Sequence, residues 1–246
     1  MKKQVRIFLL LFRWQLLRLR TLIPLFIVLQ MMTGVGFIIG LNYLVPNMDQ
    51  QTAYLFVSGA PTLILIIIGV VFVPQIVTED IASGSLAYMF SLPISRILFL
   101  LTDLFVWLLS ALPGIISALW IGSWYYDFSF SIEWLLWPSI LIVGLTCCCM
   151  GYAIAHLIAK PQYVLMLTNL VVFFLFLFTP INFPLERLPS VIQALHLKLP
   201  FIHMADLIRQ SINGENQFIT HQTVIMLSIW LTLSFGIMII VVQRRR

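Results

Sequence analysis

Six apolar runs constrain this chain more than any other feature of it. They lie at about 22–45, 53–77, 97–121, 134–157, 163–183 and 222–242. Each is close to the ~20 residues a helix needs to cross a hydrocarbon core. Lipid offers no partner for backbone groups, so each run must satisfy its own as a helix. The runs do not alternate as the short strands of a membrane barrel do. They predict an all-α integral membrane protein with six transmembrane helices in a single domain, 1–246. The composition agrees: 61% of residues are hydrophobic and 9% are charged, against about 25% charged in soluble domains.

The net charge of +5 is less informative than its distribution. Lys2, Lys3, Arg6, Arg13, Arg18 and Arg20 precede the first run, Arg96 follows the second, Lys160 the fourth, and Arg244, Arg245 and Arg246 the last. With both termini cytoplasmic, eleven of the fourteen basic residues lie inside, and the loops at 46–52 and 122–133 carry none. The positive-inside rule selects that orientation. It places the chain in the cell (plasma) membrane as a multi-pass protein in contact with anionic lipid. No basic segment is interleaved with aromatics, so nucleic acid is not an expected partner.

Residues 1–20 read as an amphipathic helix at the inner interface, not as a signal peptide, because Arg13, Arg18 and Arg20 interrupt the apolar stretch. Lys2, Arg6, Arg13 and Arg20 fall together on the helical wheel, and Phe8, Leu9, Leu11, Phe12, Leu16 and Leu19 fall mostly elsewhere. Arg18 breaks this pattern and is expected to snorkel or to meet a partner. Trp124, Tyr125, Tyr126, Trp134 and Trp137 read as an outer aromatic belt.

Catalytic and metal-binding patterns are not found. There is no G-x-x-x-x-G-K-[ST] loop to cradle phosphates, no H-E-x-x-H and no Cys-x-x-Cys. Cys147, Cys148 and Cys149 are consecutive, point about 100° apart on a helix, and read as packing residues. His156, His196, His203 and His221 are scattered. Asp103 and His156 are the ionisable residues inside spans. Asp103 is expected to pair with Arg96 or an N-terminal arginine. Its alternative role is a proton or cation site.

Two connections are unusual. Residues 78–96, "TEDIASGSLAYMFSLPISR", open with a potential cap at Thr78 and with Glu79 and Asp80 at the positive end of a helix dipole. Ser83-Gly84-Ser85 bends the segment, Pro93 stops it, and Ser95 can cap the next helix. Leu86, Tyr88, Met89, Phe90 and Leu92 are too apolar for a free loop, so the segment predicts a short helix with an exposed apolar face and a grooved partner. The second connection, 184–213, is too apolar for a solvated loop and too broken by proline for a span. It predicts two short helices that dip into, or lie on, the outer leaflet, packed in a mouth or lid.

These two segments resemble the permease subunits of the six-helix ATP-binding-cassette exporters, the ABC type-2 family. In 78–96 the resemblance lies in Glu79, Gly84, Ser85, Leu86, Pro93, Ser95 and Arg96, and in the outer segment in Leu188, Pro189, Pro200, Asp206, Arg209 and Gly214. With the amphipathic start and six spans it covers essentially the whole chain. Position 87 is alanine where many members carry an acidic residue, which shifts the expected contact toward Leu86, Tyr88 and Phe90.

The resemblance implies a permease of an ATP-driven exporter that moves a drug, peptide antibiotic or lipid-linked molecule outward. It implies a second permease, identical or related, and two separate ATP-binding-cassette subunits holding ATP and Mg²⁺; no cofactor is expected on this chain, and no enzymatic activity. Glu79, Asp80, Gly84, Ser85, Leu86, Tyr88, Phe90, Pro93 and Arg96 are then the ATPase-coupling residues. Leu188, Pro189, Pro200, Asp206 and Arg209 form the outer gate. A solitary secondary transporter or channel would need helices broken in matched halves. A toxin-sequestering immunity or assembly protein would bind without ATP-dependent turnover.

Overall fold

The computed structural model describes residues 2–44, 49–92, 94–128, 130, 134–212 and 220–244, and among these there is no strand. Pro93, Gly214, Arg245 and Arg246 lie outside the described residues. The helices are α1 (Lys2–Arg18), α2 (Leu22–Leu44), α3 (Gln50–Ile66), a π-helical stretch (Ile67–Phe72), α4 (Val73–Ala82), α5 (Ser85–Ser91), α6 (Arg96–Tyr126), α7 (Leu136–Ile158), α8 (Pro161–Phe178), α9 (Ser190–His196), α10 (Pro200–Ile212) and α11 (His221–Arg244).

The second apolar run does not stop at residue 77. α3, the π stretch and α4 form one helix, Gln50–Ala82, of 33 residues, or about 50 Å at 1.5 Å per residue. Thr78 caps nothing: it is buried, and its hydroxyl donates to the carbonyl of Pro74 2.6 Å away. Pro74 lies inside this continuous helix, just after the π stretch gives way to α4, and the wide turn before it accommodates its missing N–H. The helix ends at Gly84, whose φ of +77° is left-handed, a conformation that costs other residues about 1–2 kcal/mol.

This long helix is the centre of the bundle: 89% of its apolar window is buried, against 22% for α2 and 17% for α11. Lipid tails are as apolar as leucine, so helices in a bilayer are held by close packing, not by the hydrophobic effect. The closest approach is at Gly69, where a Cβ would overlap Cys147 and the backbone of Cys148. Reciprocally, a Cβ on Gly151 would meet the carbonyl of Gly69 and the ring of Pro74. Cys147, Cys148 and Cys149 are buried and unbridged in this contact.

Among the described residues five helices are long and apolar enough to cross a membrane, or six if the bent pair α9 and α10 counts as one span. The fifth expected span is shorter than its apolar run: α8 has 18 residues, about 27 Å, and ends at Phe178. From Thr179 the chain continues as buried, non-helical backbone. The pair α9 and α10 is bent by 72°. Ser139 and Ser211 share a hydrogen bond of 2.6 Å, and Cys147, the central residue of α7, lies 3.7 Å from Met204. α10 therefore runs antiparallel to α7 down to its middle. At the turn, Trp230 donates to the carbonyl of Lys198 over 3.0 Å, nine residues into α11 and so about 14 Å below its start. The pair is a re-entrant hairpin, dipping far deeper than a surface lid.

Candidate functional site

The segment at 79–96 hangs from the end of α4 and folds back on the bundle. Glu79 is exposed, and α5 follows the Gly84 turn. Leu86 and Met89 are buried against α4 and its neighbours, and Phe90 is half-buried, its ring 5.7 Å from that of Phe99. Of the apolar trio Leu86, Tyr88 and Phe90, only Tyr88 is exposed, at 68%. A seven-residue helix with side chains on all sides must use one face for its own anchorage, and Leu86 is on that face. What α5 offers outward is Ser85, Ala87, Tyr88 and Ser91, beside Glu79 and Gly84.

Arg96 opens α6. Its guanidinium lies 5.3 Å from the Phe90 ring centroid and donates to the carbonyl of Val242 over 3.2 Å, which ties the segment to the last turns of α11. Arg96 does not reach Asp103. The partner of Asp103 is Arg18, at the end of α1, 3.3 Å away. The same guanidinium donates to Asp80 on α4 over 3.0 Å, and the Met89 sulfur on α5 lies 3.2 Å from it. Trp107 Nε1 donates to the second Asp103 oxygen over 3.0 Å, and the Tyr152 hydroxyl from α7 donates to the same oxygen. One arginine thus joins the start of the chain to both sides of the 79–96 segment and, through Asp103, to α6 and α7.

α1 packs with Leu11 and Gln15 buried, followed by buried Leu19 in the turn after it, and with Phe8 against Phe105 and Trp14 against Phe99. Arg6, Arg13 and Arg20 are exposed on the other face, as their spacing predicts. Arg18 departs from that face because a guanidinium one turn past Trp14, its carbon 5.8 Å from that ring, is turned toward α4 and α6.

At the opposite end, the residues expected to form an outer gate divide into two groups. Leu188 and Pro189 precede α9, and the Leu188 carbonyl accepts from Gln193 over 2.8 Å. Pro200 starts α10, and Asp206 and Arg209 lie on it. Arg209 bonds Asp206 at 3.1 Å, the Ser58 hydroxyl at 3.2 Å and the Ile181 carbonyl at 2.7 Å. It clamps the hairpin and the non-helical backbone after α8 to α3. Asp206 and Arg209 can be found from the sequence; Ser58 and the Ile181 carbonyl cannot, because their role arises only from tertiary contact. Trp107 could have been read at the i+4 position from Asp103, whereas nothing near Tyr152 marks it as a ligand of that carboxylate.

Among the described residues no three metal-ligating side chains converge. Two adjoining apolar cavities of about 450 and 420 Å³ lie between α6 and α7 and share Leu112, Trp137 and Ile140. No curated protein matches the chain in sequence. The family model of the ABC-2 family transporter proteins matches residues 39–242, which takes in the central helix, the 79–96 segment and the re-entrant hairpin, and leaves α1 outside. The chain therefore belongs to the ABC-2 transporter family, as a multi-pass permease component of an ABC transporter.

Proposed function

We propose that this permease works in an ATP-driven exporter, paired with a second permease, identical or related, and with two ATP-binding-cassette subunits that hold ATP and Mg²⁺. Both termini and the 79–96 segment face the cytoplasm, following the basic residues. The ATP-binding subunits grip α5 and the Glu79 end of α4, and the hairpin α9–α10 gates the exit.

One observation carries this reading: the segment and the hairpin are attached to the same helix. Asp80 belongs to the end of Gln50–Ala82, with the Gly84 turn just after it, and Ser58, held by Arg209, lies 22 residues before Asp80, about 33 Å away along the axis. A pull on one end is therefore delivered to the other without crossing a loop. The apolar lining of the cavities between α6 and α7 supports an amphipathic cargo: a drug, a peptide antibiotic or a lipid-linked molecule. The second permease is supported by α2, where a Cβ on Gly36 or Gly40 would meet nothing within 4 Å and the two form a G-x-x-x-G pair of the kind that lets membrane helices approach closely.

The test is ATP hydrolysis in the complex extracted with its co-purifying ATP-binding subunit and stimulated by a panel of amphipathic compounds. Replacing Glu79 by alanine and Gly84 by valine should abolish stimulation while leaving the complex assembled in the membrane. Unchanged stimulation in an assembled complex would sink the coupling role.

A further inference from the structure

Arg18 pairs with two carboxylates, Asp80 and Asp103, and no other ion pair reaches either of them among the described residues. One guanidinium balances one ionised carboxylate, so with both acids ionised the cluster is one positive charge short. The two acids are not equivalent. The Asp103 side chain is 2% exposed and held by Trp107 and Tyr152, whereas that of Asp80 is 23% exposed. A partly buried, unbalanced charge is costly unless a counter-charge completes it.

The Asp80 side of the cluster is also where the surface opens. A cavity of about 450 Å³ lies between α1 and the 79–96 segment, with Arg18 and Asp80 on its floor. Its walls are Trp14, 37% exposed, Tyr88, 68% exposed, and Met89, with the Ser83 hydroxyl at the rim. Indole and phenol faces flanking a carboxylate suit a cation, most of all a planar guanidinium that can both stack and bond in two places.

We infer that this cavity is a socket for a basic side chain, an arginine first, supplied by the ATP-binding subunit that docks on α5. The inference rests on the proposed coupling reading and adds the chemistry of the contact: the permease receives a residue as well as presenting a helix. The incoming cation pairs with Asp80, which leaves Arg18 to Asp103. α1 thereby becomes part of the docking surface, although it lies outside the residues the family model matches.

The experiment uses the full chain in its native membrane with the ATP-binding subunit that co-purifies. A photo-reactive phenylalanine analogue at exposed Ser85 identifies the partner residues at the socket. The expected cross-link falls beside a lysine or arginine. Asp80→Arg should lower recovery of the ATP-binding subunit about tenfold or more, since like charges at a contact cost several kcal/mol. Reversing the identified basic residue to glutamate should restore it. Should Asp80→Arg fail to accumulate in the membrane, Asp80→Asn is read instead, and its subunit recovery should lose the salt dependence of the wild type. A cross-link to a segment without lysine or arginine, full recovery with Asp80→Arg, or unaltered salt dependence with Asp80→Asn would overturn the socket and leave the coupling reading standing. A wild-type chain that recovers no ATP-binding subunit would overturn both.

Discussion

The bond between Arg18 and Asp103 can be weighed without knowing cargo or partner. Arg18→Met removes the cation and leaves the Asp103 carboxylate at 2% exposure with two neutral donors, Trp107 and Tyr152. Stranding a buried charge in this way costs about 3–5 kcal/mol. Asp103→Leu leaves those two donors without an acceptor, each worth about 1–3 kcal/mol, while Arg18 keeps Asp80. In the double variant the carboxylate and its cation are both gone, and the second loss, a pair with Asp80 at 20% and 23% exposure, is worth no more than about 1 kcal/mol. The single costs therefore do not add. The double variant should unfold at most about 1 kcal/mol more easily than Asp103→Leu alone, a coupling energy of about 2 kcal/mol or more. Reversible unfolding of the purified chain in mixed micelles measures all four corners of the cycle. Additivity to within about 0.5 kcal/mol would refute the claim that Arg18 compensates Asp103, and with it the view that α1 is pinned to the bundle by charge.

Three further outcomes are expected. Gly69→Ala should destabilise the bundle by about 1–3 kcal/mol or more, because the added carbon meets the α7 backbone at Cys147 and Cys148; thermal melting in detergent reads it, against Gly236→Ala, which meets nothing. Gly36→Leu with Gly40→Leu should leave the melting temperature of the isolated chain unchanged and abolish cross-linking between two permease copies; undiminished cross-linking would place the second permease elsewhere. Arg209→Met should release the hairpin from Ser58 and the Ile181 carbonyl, so that transport falls and ATP hydrolysis persists. Parallel loss of both would mean that the clamp serves assembly, not the exit.

The apolar helices, the exposed arginines of the first helix and the position of the 79–96 segment were legible because each is written in local pattern. Apolar length marks a span, and seven-residue spacing puts Arg6, Arg13 and Arg20 on one face. Three features were not legible for a common reason. The second span continues to Ala82 because the π stretch accommodates Pro74 against Gly151, a contact between helices 70 residues and more apart. Leu86 turns inward because a two-turn helix needs an anchor. Asp103 was recognisable as paired, but its choice of Arg18 over Arg96 depends on where α1 crosses α6, and Arg96 is occupied by Phe90 and the Val242 carbonyl.

The geometry of the central helix also constrains how the two ends can be coupled. Gly69 is its tightest contact, and it lies 11 residues from Ser58 and 11 from Asp80, or about 16 Å in each direction. A rigid tilt about that contact moves the Arg209 clamp as far as it moves Asp80, in the opposite sense. Rigidity is set by the same few residues, because the π stretch Ile67–Phe72 surrounds Gly69, and a wide turn is where a helix yields. Two local features thus oppose each other at one point: the glycines hold the helix to α7, and the wide turn lets it bend there. Under the proposed reading, efficient coupling requires the glycine contact to dominate, since a bend at the π stretch would absorb the movement of Asp80 before it reached Ser58. Packing answers that requirement: Ile68, Gly69, Val70 and Val71 are all buried, so bending the wide turn would displace α7 as well. Under that reading the π stretch, pressed against α7 at Gly69, is the fulcrum, and the lever is the central helix.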